Sequence, residues 1–109
     1  MQKYEIHIVE QAYYHIASIV QYYYDLHGDY KIVQQIATTI FKAISSLKTF
    51  PCRTPIYTKR HAHEIRKLGA GRYLIFYTVN DDSYAVNVIS VFHAKQDYEG
   101  YFLDTESNS

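Results

Sequence analysis

Two runs of apolar residues at helical spacing, separated only by Gly28 and Asp29, constrain the fold of this chain more than any other feature. A glycine is favourable just past a helix end, where the backbone turns left-handed, and an aspartate caps the next helix. Two helices joined by so few residues must fold back as an antiparallel hairpin. The two buried stripes are Ile16, Ile19, Val20, Tyr23 and Leu26, and then Val33, Ile36, Ala37, Ile40, Phe41, Ile44 and Leu47.

The segments on either side of the helices favour strands. Residues 4–9 alternate with a period of two, which predicts a strand. Residues 63–68 are predicted to be a short strand, residues 72–80 a strand rich in aromatic and β-branched side chains, and residues 84–93 a further strand. Residues 51–62 contain both prolines and much positive charge, and are predicted to be a surface loop. The order β-α-α-β-β-β predicts an α+β fold, in which an antiparallel sheet carries the helix hairpin on one face.

The predicted sheet has more apolar surface than the helix hairpin can cover. Its last two strands are apolar on both faces, and no predicted element remains for the second face. An uncovered apolar face is a candidate surface for a partner. A length of 109 residues fits one domain. We therefore expect a single domain over residues 1–103, followed by a disordered tail over residues 104–109.

The net charge of zero results from cancellation between segments. Residues 42–72 contain eight lysines and arginines and one glutamate, a net charge of +7, whereas residues 97–109 contain four carboxylates and no cation. A basic segment of this kind favours an anionic partner, either nucleic acid or an acidic protein segment, although charged loops are also common without one.

Several classes of protein are disfavoured by the composition. The single cysteine, Cys52, allows neither an intramolecular disulfide nor a cysteine-based zinc site. His61 and His63 form only a weak pair of metal ligands, so no metal and no cofactor is expected. No run of about 18 apolar residues is present, and no signal-like segment opens the sequence. We expect a cytoplasmic protein that has no contact with a membrane.

Three segments resemble the C-terminal half of the RelE/ParE superfamily of type II toxin–antitoxin toxins, and resemble its ParE-like, plasmid stabilisation branch most. They are Glu64-Ile65-Arg66-Lys67-Leu68, Gly71-Arg72-Tyr73-Leu74-Ile75-Phe76-Tyr77 and Val91-Phe92-His93-Ala94-Lys95-Gln96-Asp97. The resemblance extends roughly over residues 4–102 and includes the length, the element order and the helix hairpin. It implies a toxin in a hetero-oligomer with a cognate antitoxin, whose acidic C-terminal segment wraps the sheet and the helix hairpin.

The resemblance implies two possible activities. ParE-like toxins bind DNA gyrase and block replication, whereas RelE-like toxins cleave messenger RNA in the ribosomal A site. RelE-like toxins carry arginines just after the last strand, where this sequence has Ala94 and Gln96, and ParE-like toxins tend to have arginines at the positions of Ser90 and Gln96. The missing arginines favour a gyrase inhibitor that works by binding and has no chemistry of its own. The alternatives are a RelE-like ribosome-dependent endoribonuclease and a non-toxic remnant of the fold that only binds partners.

A metal-independent nuclease would need a base, a cation for the phosphorane charge and a proton donor. Arg66, His93 and Tyr98 are the candidates for that catalytic set, by their match to the family's positions. Each has a structural interpretation as well. Arg66 is equally suited to pairing with a carboxylate, and His93 to closing the sheet through a backbone hydrogen bond.

The remaining site predictions concern binding. The resemblance implies that the antitoxin contacts the strand that begins at Tyr73 and the cations around it, and we assign the antitoxin contacts to Arg66, Arg72, Tyr73 and Lys95. The cations of the predicted loop are candidates for contact with the target, gyrase or the ribosome with its mRNA. They are Arg53, Lys59 and Arg60.

Overall fold

The computed structural model describes residues 2–107, with side chains described as far as Phe102, and arranges them as a sheet between two helical layers. Two single 3₁₀ turns, Ser46–Lys48 and Pro51–Arg53, connect the helix hairpin to the second strand. The elements within these residues are β1 (Glu5–Ile8), α1 (Glu10–His27), α2 (Tyr30–Ser45), β2 (Ile56–Arg60), β3 (His63–Ala70), β4 (Tyr73–Asn80), β5 (Ala85–His93) and α3 (Tyr98–Ser107).

The joint between α1 and α2 has the geometry that its two residues predict. Gly28 has φ of 63°, in the left-handed region, and its N–H donates to the carbonyl of Tyr24 at 2.7 Å. The carboxylate of Asp29 accepts a hydrogen bond from the backbone N–H of Lys31 at 2.9 Å and so caps α2. The hairpin therefore forms from local backbone preferences before any packing is considered.

The sheet has the strand order β1-β5-β4-β3-β2. The α+β class and the helix hairpin on one face are confirmed, but the sheet is mixed and not wholly antiparallel, because β1 runs parallel to β5. Parallel neighbours need a long connection between them, and here the two helices and three strands provide it. A bulge lies in the β4–β5 pairing between Phe76 and Tyr77.

The predicted surface loop 51–62 contains a further strand, so that prediction was wrong for its second half. Strand β2 pairs antiparallel with β3, and the two are joined by His61 and Ala62, which have φ of 52° and 68°. Two-residue hairpin turns need such left-handed residues and are usually signalled by Asn-Gly or Asp-Gly. The dipeptide His-Ala gives no such signal. Lys59 and Arg60 lie on the edge strand, where charges discourage pairing with another sheet.

The first face of the sheet packs against the helix hairpin and forms the larger core. Its buried members are Ala12, Ile16, Ile19, Ile36, Ile40, Ile44, Leu47, Ala70, Tyr73, Ile75, Tyr77, Val86, Val88 and Val91. Most residues of the two predicted helical stripes belong to this core. Leu26 and Phe41 are exceptions, since both are exposed.

The second face of the sheet is covered by α3, so the prediction of an uncovered face was wrong. Phe102 of α3 is buried against Ile65, Phe76 and Phe92, and its ring centroid lies 4.7 Å from that of Phe76. Helix α3 also extends through residues 104–107 of the predicted disordered tail, and residues 108 and 109 lie outside the described residues. In the part of the chain that the structure describes, no helix combines the length and hydropathy needed to cross a membrane.

Candidate functional site

Arg66 lies on the helix-hairpin side of the sheet, opposite Tyr77 in the neighbouring strand. Its guanidinium donates hydrogen bonds to the carbonyls of Thr54 and Cys52, the latter at 3.2 Å. The Tyr77 hydroxyl donates to the carbonyl of Pro51 at 2.7 Å and lies 2.7 Å from the hydroxyl of Thr54, while burial raises the pKa of Tyr77. Arg66 and Tyr77 thus hold the turn that follows the helix hairpin.

His93 lies at the end of β5, on the same face of the sheet as Arg66 but at the opposite end. The imidazole Nδ1 of His93 accepts a hydrogen bond from the backbone N–H of Lys95 at 3.1 Å. The backbone N–H of His93 donates to the side-chain oxygen of Gln96 at 2.6 Å. Its ring meets that of Tyr73 edge-on, with centroids 5.6 Å apart. These contacts support the structural interpretation, in which His93 closes the end of the strand.

The three candidate catalytic residues are not brought together. Arg66 pairs with Tyr77 and His93 with Tyr73, so they are separated by four residues along β4 and by two strand spacings, about 16 Å. Tyr98 lies on the other face of the sheet, with its ring centroid 5.5 Å from that of Phe76. No single phosphodiester can contact all three side chains in this arrangement.

Of the four predicted antitoxin contacts, two lie at one place. Arg72 and Lys95 are exposed and line a cavity of about 1050 Å³ between α1 and the ends of β4 and β5. Tyr73 is buried beneath this cavity, where desolvation and the neighbouring Tyr23 raise its pKa to about 12. Arg66 is remote from the cavity, at the turn after the helix hairpin.

The cavity, which we call the α1 cleft, is lined by side chains of α1 on one side and by the strand ends on the other. Tyr22, Tyr23 and Ile19 form its aromatic and apolar wall, and Arg72 and Lys95 its charged edge. His15, also of this lining, accepts a hydrogen bond at Nδ1 from the backbone N–H of Val91 at 3.2 Å. Burial lowers the pKa of His15, which keeps the ring neutral and Nδ1 free to accept.

The three predicted target contacts do not form a common surface. Arg53 donates to the carbonyls of Ser46, Thr49 and Phe50 at 3.1–3.3 Å and so caps the end of the helix hairpin. The guanidinium of Arg60 lies over the rings of Tyr101 and Phe102, at 5.9 and 5.7 Å from their centroids. Lys59 is exposed on the edge strand, opposite Glu64.

The structure also groups residues that the sequence analysis did not single out. The ammonium of Lys67 lies 4.9 Å from the ring centroid of Tyr57 and 5.4 Å from that of Tyr98. Burial raises the pKa of Tyr57, and the nearby negative charge of Glu99 raises it further. Strand alternation alone predicts that Lys67 lies on the opposite face of the sheet from Arg66. Finding the partners of Lys67 required β2 and α3, which were not predicted.

The fold is shared with solved structures of toxin–antitoxin complexes. A chain of the RelBE2 toxin–antitoxin complex from Mycobacterium tuberculosis superposes with a TM-score of 0.59 and 17% sequence identity, over 85% of this chain and 93% of that chain. A chain of the archaeal RelE–RelB complex from Pyrococcus horikoshii OT3 gives a TM-score of 0.58 and 12% identity, over 87% and 99% of the two chains. At sequence identities this low, the similarity shows a shared fold alone.

The family follows from the sequence. The sequence-family model for the ParE toxin of the type II toxin–antitoxin system parDE matches residues 6–98, which is most of the chain. The protein therefore belongs to the ParE toxin family, and the resemblance stated from its sequence motifs is confirmed. A search of curated proteins finds no match to this chain.

Proposed function

We propose that this toxin acts in the cytoplasm by binding and inhibiting DNA gyrase, and that a cognate antitoxin neutralises it. Membership of the ParE toxin family supports a toxin of a type II system. The separation of Arg66, His93 and Tyr98 favours gyrase as the target and disfavours cleavage of mRNA, because a nuclease needs its cation, base and proton donor around one phosphate. Inhibition by binding needs no such convergence.

The test is a supercoiling assay with purified gyrase, run beside an mRNA cleavage assay on translating ribosomes. We expect inhibition of supercoiling and intact mRNA. Cuts in the mRNA with normal supercoiling would reject the gyrase proposal in favour of a nuclease. Absence of both effects, from a sample that unfolds cooperatively, would instead indicate the non-toxic binding remnant.

One observation favours the nuclease as the second candidate. Lys67 lies between the phenol rings of Tyr57 and Tyr98, which brings a cation and two proton-carrying groups to one place. If mRNA is cleaved, we expect Lys67→Met to lower the rate by at least about 100-fold. Lys31→Met, which removes an exposed cation on α2, serves as the matched control and should leave the rate nearly unchanged. Equal losses in both variants would exclude Lys67 from a specific role.

The antitoxin is expected to reach this toxin with an acidic segment. The two solved relatives are complexes of a toxin with its antitoxin, and Arg72 and Lys95 offer exposed positive charge beside the α1 cleft. A bound antitoxin would stabilise the folded toxin by mass action. We expect Arg72→Glu and Lys95→Glu to reduce the rise in melting temperature on adding antitoxin, and Lys31→Glu, an exposed change on α2, to leave it unaltered.

A further inference from the structure

The α1 cleft is an open cavity whose lining combines positive charge with aromatic rings. It lies between one face of α1 and the ends of β4 and β5, with a volume of about 1050 Å³. Its helical wall consists of positions 15, 18, 19, 22 and 23, which one face of a helix presents together. A cleft of this size with a few convergent polar groups is the usual form of a ligand site.

The charge in the α1 cleft has one sign. The charged side chains of the lining are those of Arg72 and Lys95, and the lining includes no carboxylate. Among the described residues, the ion pair that forms joins His7 to Glu5, and neither Arg72 nor Lys95 takes part in one. An anion that binds this edge of the cleft would therefore meet no competing carboxylate in the lining.

An exposed aromatic ring stands across the cleft from these cations. Tyr22 is 62% exposed, and its ring meets that of Tyr23 edge-on at a centroid distance of 5.2 Å. Tyr23 is itself held by its interaction with the buried Tyr73 and by stacking on His93. The Tyr22 ring is thus held at right angles to a fixed neighbour while most of it stays exposed, and nucleic-acid bases stack on exposed aromatic rings.

The backbone of β5 disfavours a ligand that binds the cleft as an added strand. Beyond the part of β5 that pairs with β1, the N–H groups of Val91 and His93 already donate to His15 and Gln96. An acidic peptide that added itself as a strand would have to displace both side chains. A ligand that uses rings and cations would leave both hydrogen bonds in place.

We propose that the α1 cleft binds a short segment of single-stranded nucleic acid, with phosphates at Arg72 and Lys95 and one base stacked on Tyr22. This activity goes beyond the proposed inhibition of gyrase and does not depend on it. The site also lies on the opposite face of the sheet from Lys67 and Tyr98. Single-stranded DNA and RNA share the chemistry that these residues recognise, and the experiment compares the two.

Fluorescence anisotropy of the full chain with a labelled 12-nucleotide oligo(dT) or oligo(U) tests the proposal. We expect Tyr22→Ala to weaken binding by about five-fold or more, and Tyr22→Phe, which keeps the ring, to bind like the parent. Tyr30→Ala removes an equally exposed ring outside the cleft and is the matched control. A 2′-hydroxyl contact would appear as a preference for oligo(U), whereas equal affinities would indicate stacking and phosphate contacts alone; both results support the site.

The cations are tested through the salt dependence of the same binding. Loss of two phosphate contacts in Arg72→Ala/Lys95→Ala should reduce the slope of log K against log salt by about 1.4. Lys31→Ala/Lys42→Ala removes the same charge from α2 and should leave the slope unchanged. The proposal is overturned if neither oligonucleotide binds, if both double variants behave alike, or if a labelled 12-residue polyglutamate binds as tightly as the oligonucleotides and is also insensitive to Tyr22→Ala.

Discussion

Tyr77 shows how one hydroxyl group connects two segments of this domain. The residue is fully buried in β4, and its hydroxyl reaches the carbonyl of Pro51 and the hydroxyl of Thr54, both on the chain that leaves the helix hairpin. The sequence suggests only an aromatic core residue at this position. Its polar role depends on where the turn at Pro51 lies, which local sequence patterns do not specify.

Replacing Tyr77 with phenylalanine should therefore destabilise the fold without changing its core packing. The carbonyl of the buried Pro51 would lose its donor, which costs about 1 to 3 kcal/mol. The free energy of unfolding in urea measures the loss. Tyr30→Phe, a change at an exposed ring, is the control and should be neutral within about 0.5 kcal/mol. Equal stability of the two variants would contradict the role of the hydroxyl.

His15 is expected to make the stability of the domain depend on pH. Burial lowers its pKa in the folded state, so below about pH 6.5 the unfolded chain binds a proton that the folded chain does not. Stability is therefore expected to fall as the pH decreases from 6.5 towards the lowered pKa. Protonation at Nδ1 would also remove the acceptor of the Val91 N–H.

Urea unfolding between pH 8 and pH 5.5 tests this dependence. His15→Gln, which keeps a polar side chain without a titrating ring, should lose less stability over that range than the parent protein. His63→Gln changes an exposed histidine and should retain the parental profile. If His15→Gln and the parent lose stability in parallel, another group is responsible for the pH dependence.

Among the elements, those with a local signal were predictable and those that depend on a partner were not. The helix hairpin follows from Gly28, Asp29 and the spacing of apolar residues. Two prolines lie just before strand β2, and the turn after it, His61-Ala62, lacks the usual Asn-Gly or Asp-Gly. The strand conformation of β2 therefore depends on its pairing with β3. For α3, Tyr98, Tyr101 and Phe102 have helical spacing, but the run is too short to be distinguished from a turn by periodicity alone.

The candidate site was predictable to a similar extent. Family positions supplied Arg72 and Lys95, which do come together at the α1 cleft. The same reasoning grouped Arg66, His93 and Tyr98, which lie apart because distance along β4 separates Arg66 from His93 and because Tyr98 begins a helix on the other face of the sheet. Tyr22, on the helical wall of the cleft, belongs to no motif. Its significance depends on the packing of α1 over the end of β5, which sequence spacing does not reveal.

Replacing two glycines by alanine separates the effect of backbone strain on stability from the effect of packing. Gly28 has φ of 63° and open space around its Cα, so Gly28→Ala should cost about 1 to 2 kcal/mol through strain alone. Gly69→Ala in β3 meets the same open space without a positive φ and should be neutral or stabilising by up to about 1 kcal/mol. Thermal unfolding of both variants measures the difference, and a Gly28→Ala variant as stable as the parent would contradict it.

The whole molecule carries balanced charge that is unevenly distributed. Its isoelectric point is about 7.0, with the cations in the middle of the chain and an excess of carboxylates towards both ends. A molecule without net charge has little repulsion between copies, and opposite patches on neighbouring copies attract each other. These attractions are screened as salt increases.

Self-association near pH 7 is therefore expected to weaken with salt. Static light scattering should give a second virial coefficient that rises between 50 and 500 mM NaCl. The same increase should be smaller at pH 9, where the net negative charge already separates the molecules. A coefficient that falls with salt would show instead that the exposed tyrosines of the helix hairpin dominate the contact between copies.

The parallel pairing of β1 with β5 has a consequence for synthesis. β1 is made before both helices of the hairpin and before β2, β3 and β4, yet in the described part of the chain its neighbour in the sheet is Ala85–Val88 of β5. The nascent polypeptide can form the helix hairpin while it emerges, but β1 has no partner among the described strands until β5 has been made. The wall that β5 contributes to the α1 cleft appears only at that moment, so an interrupted translation product of this toxin would lack the site.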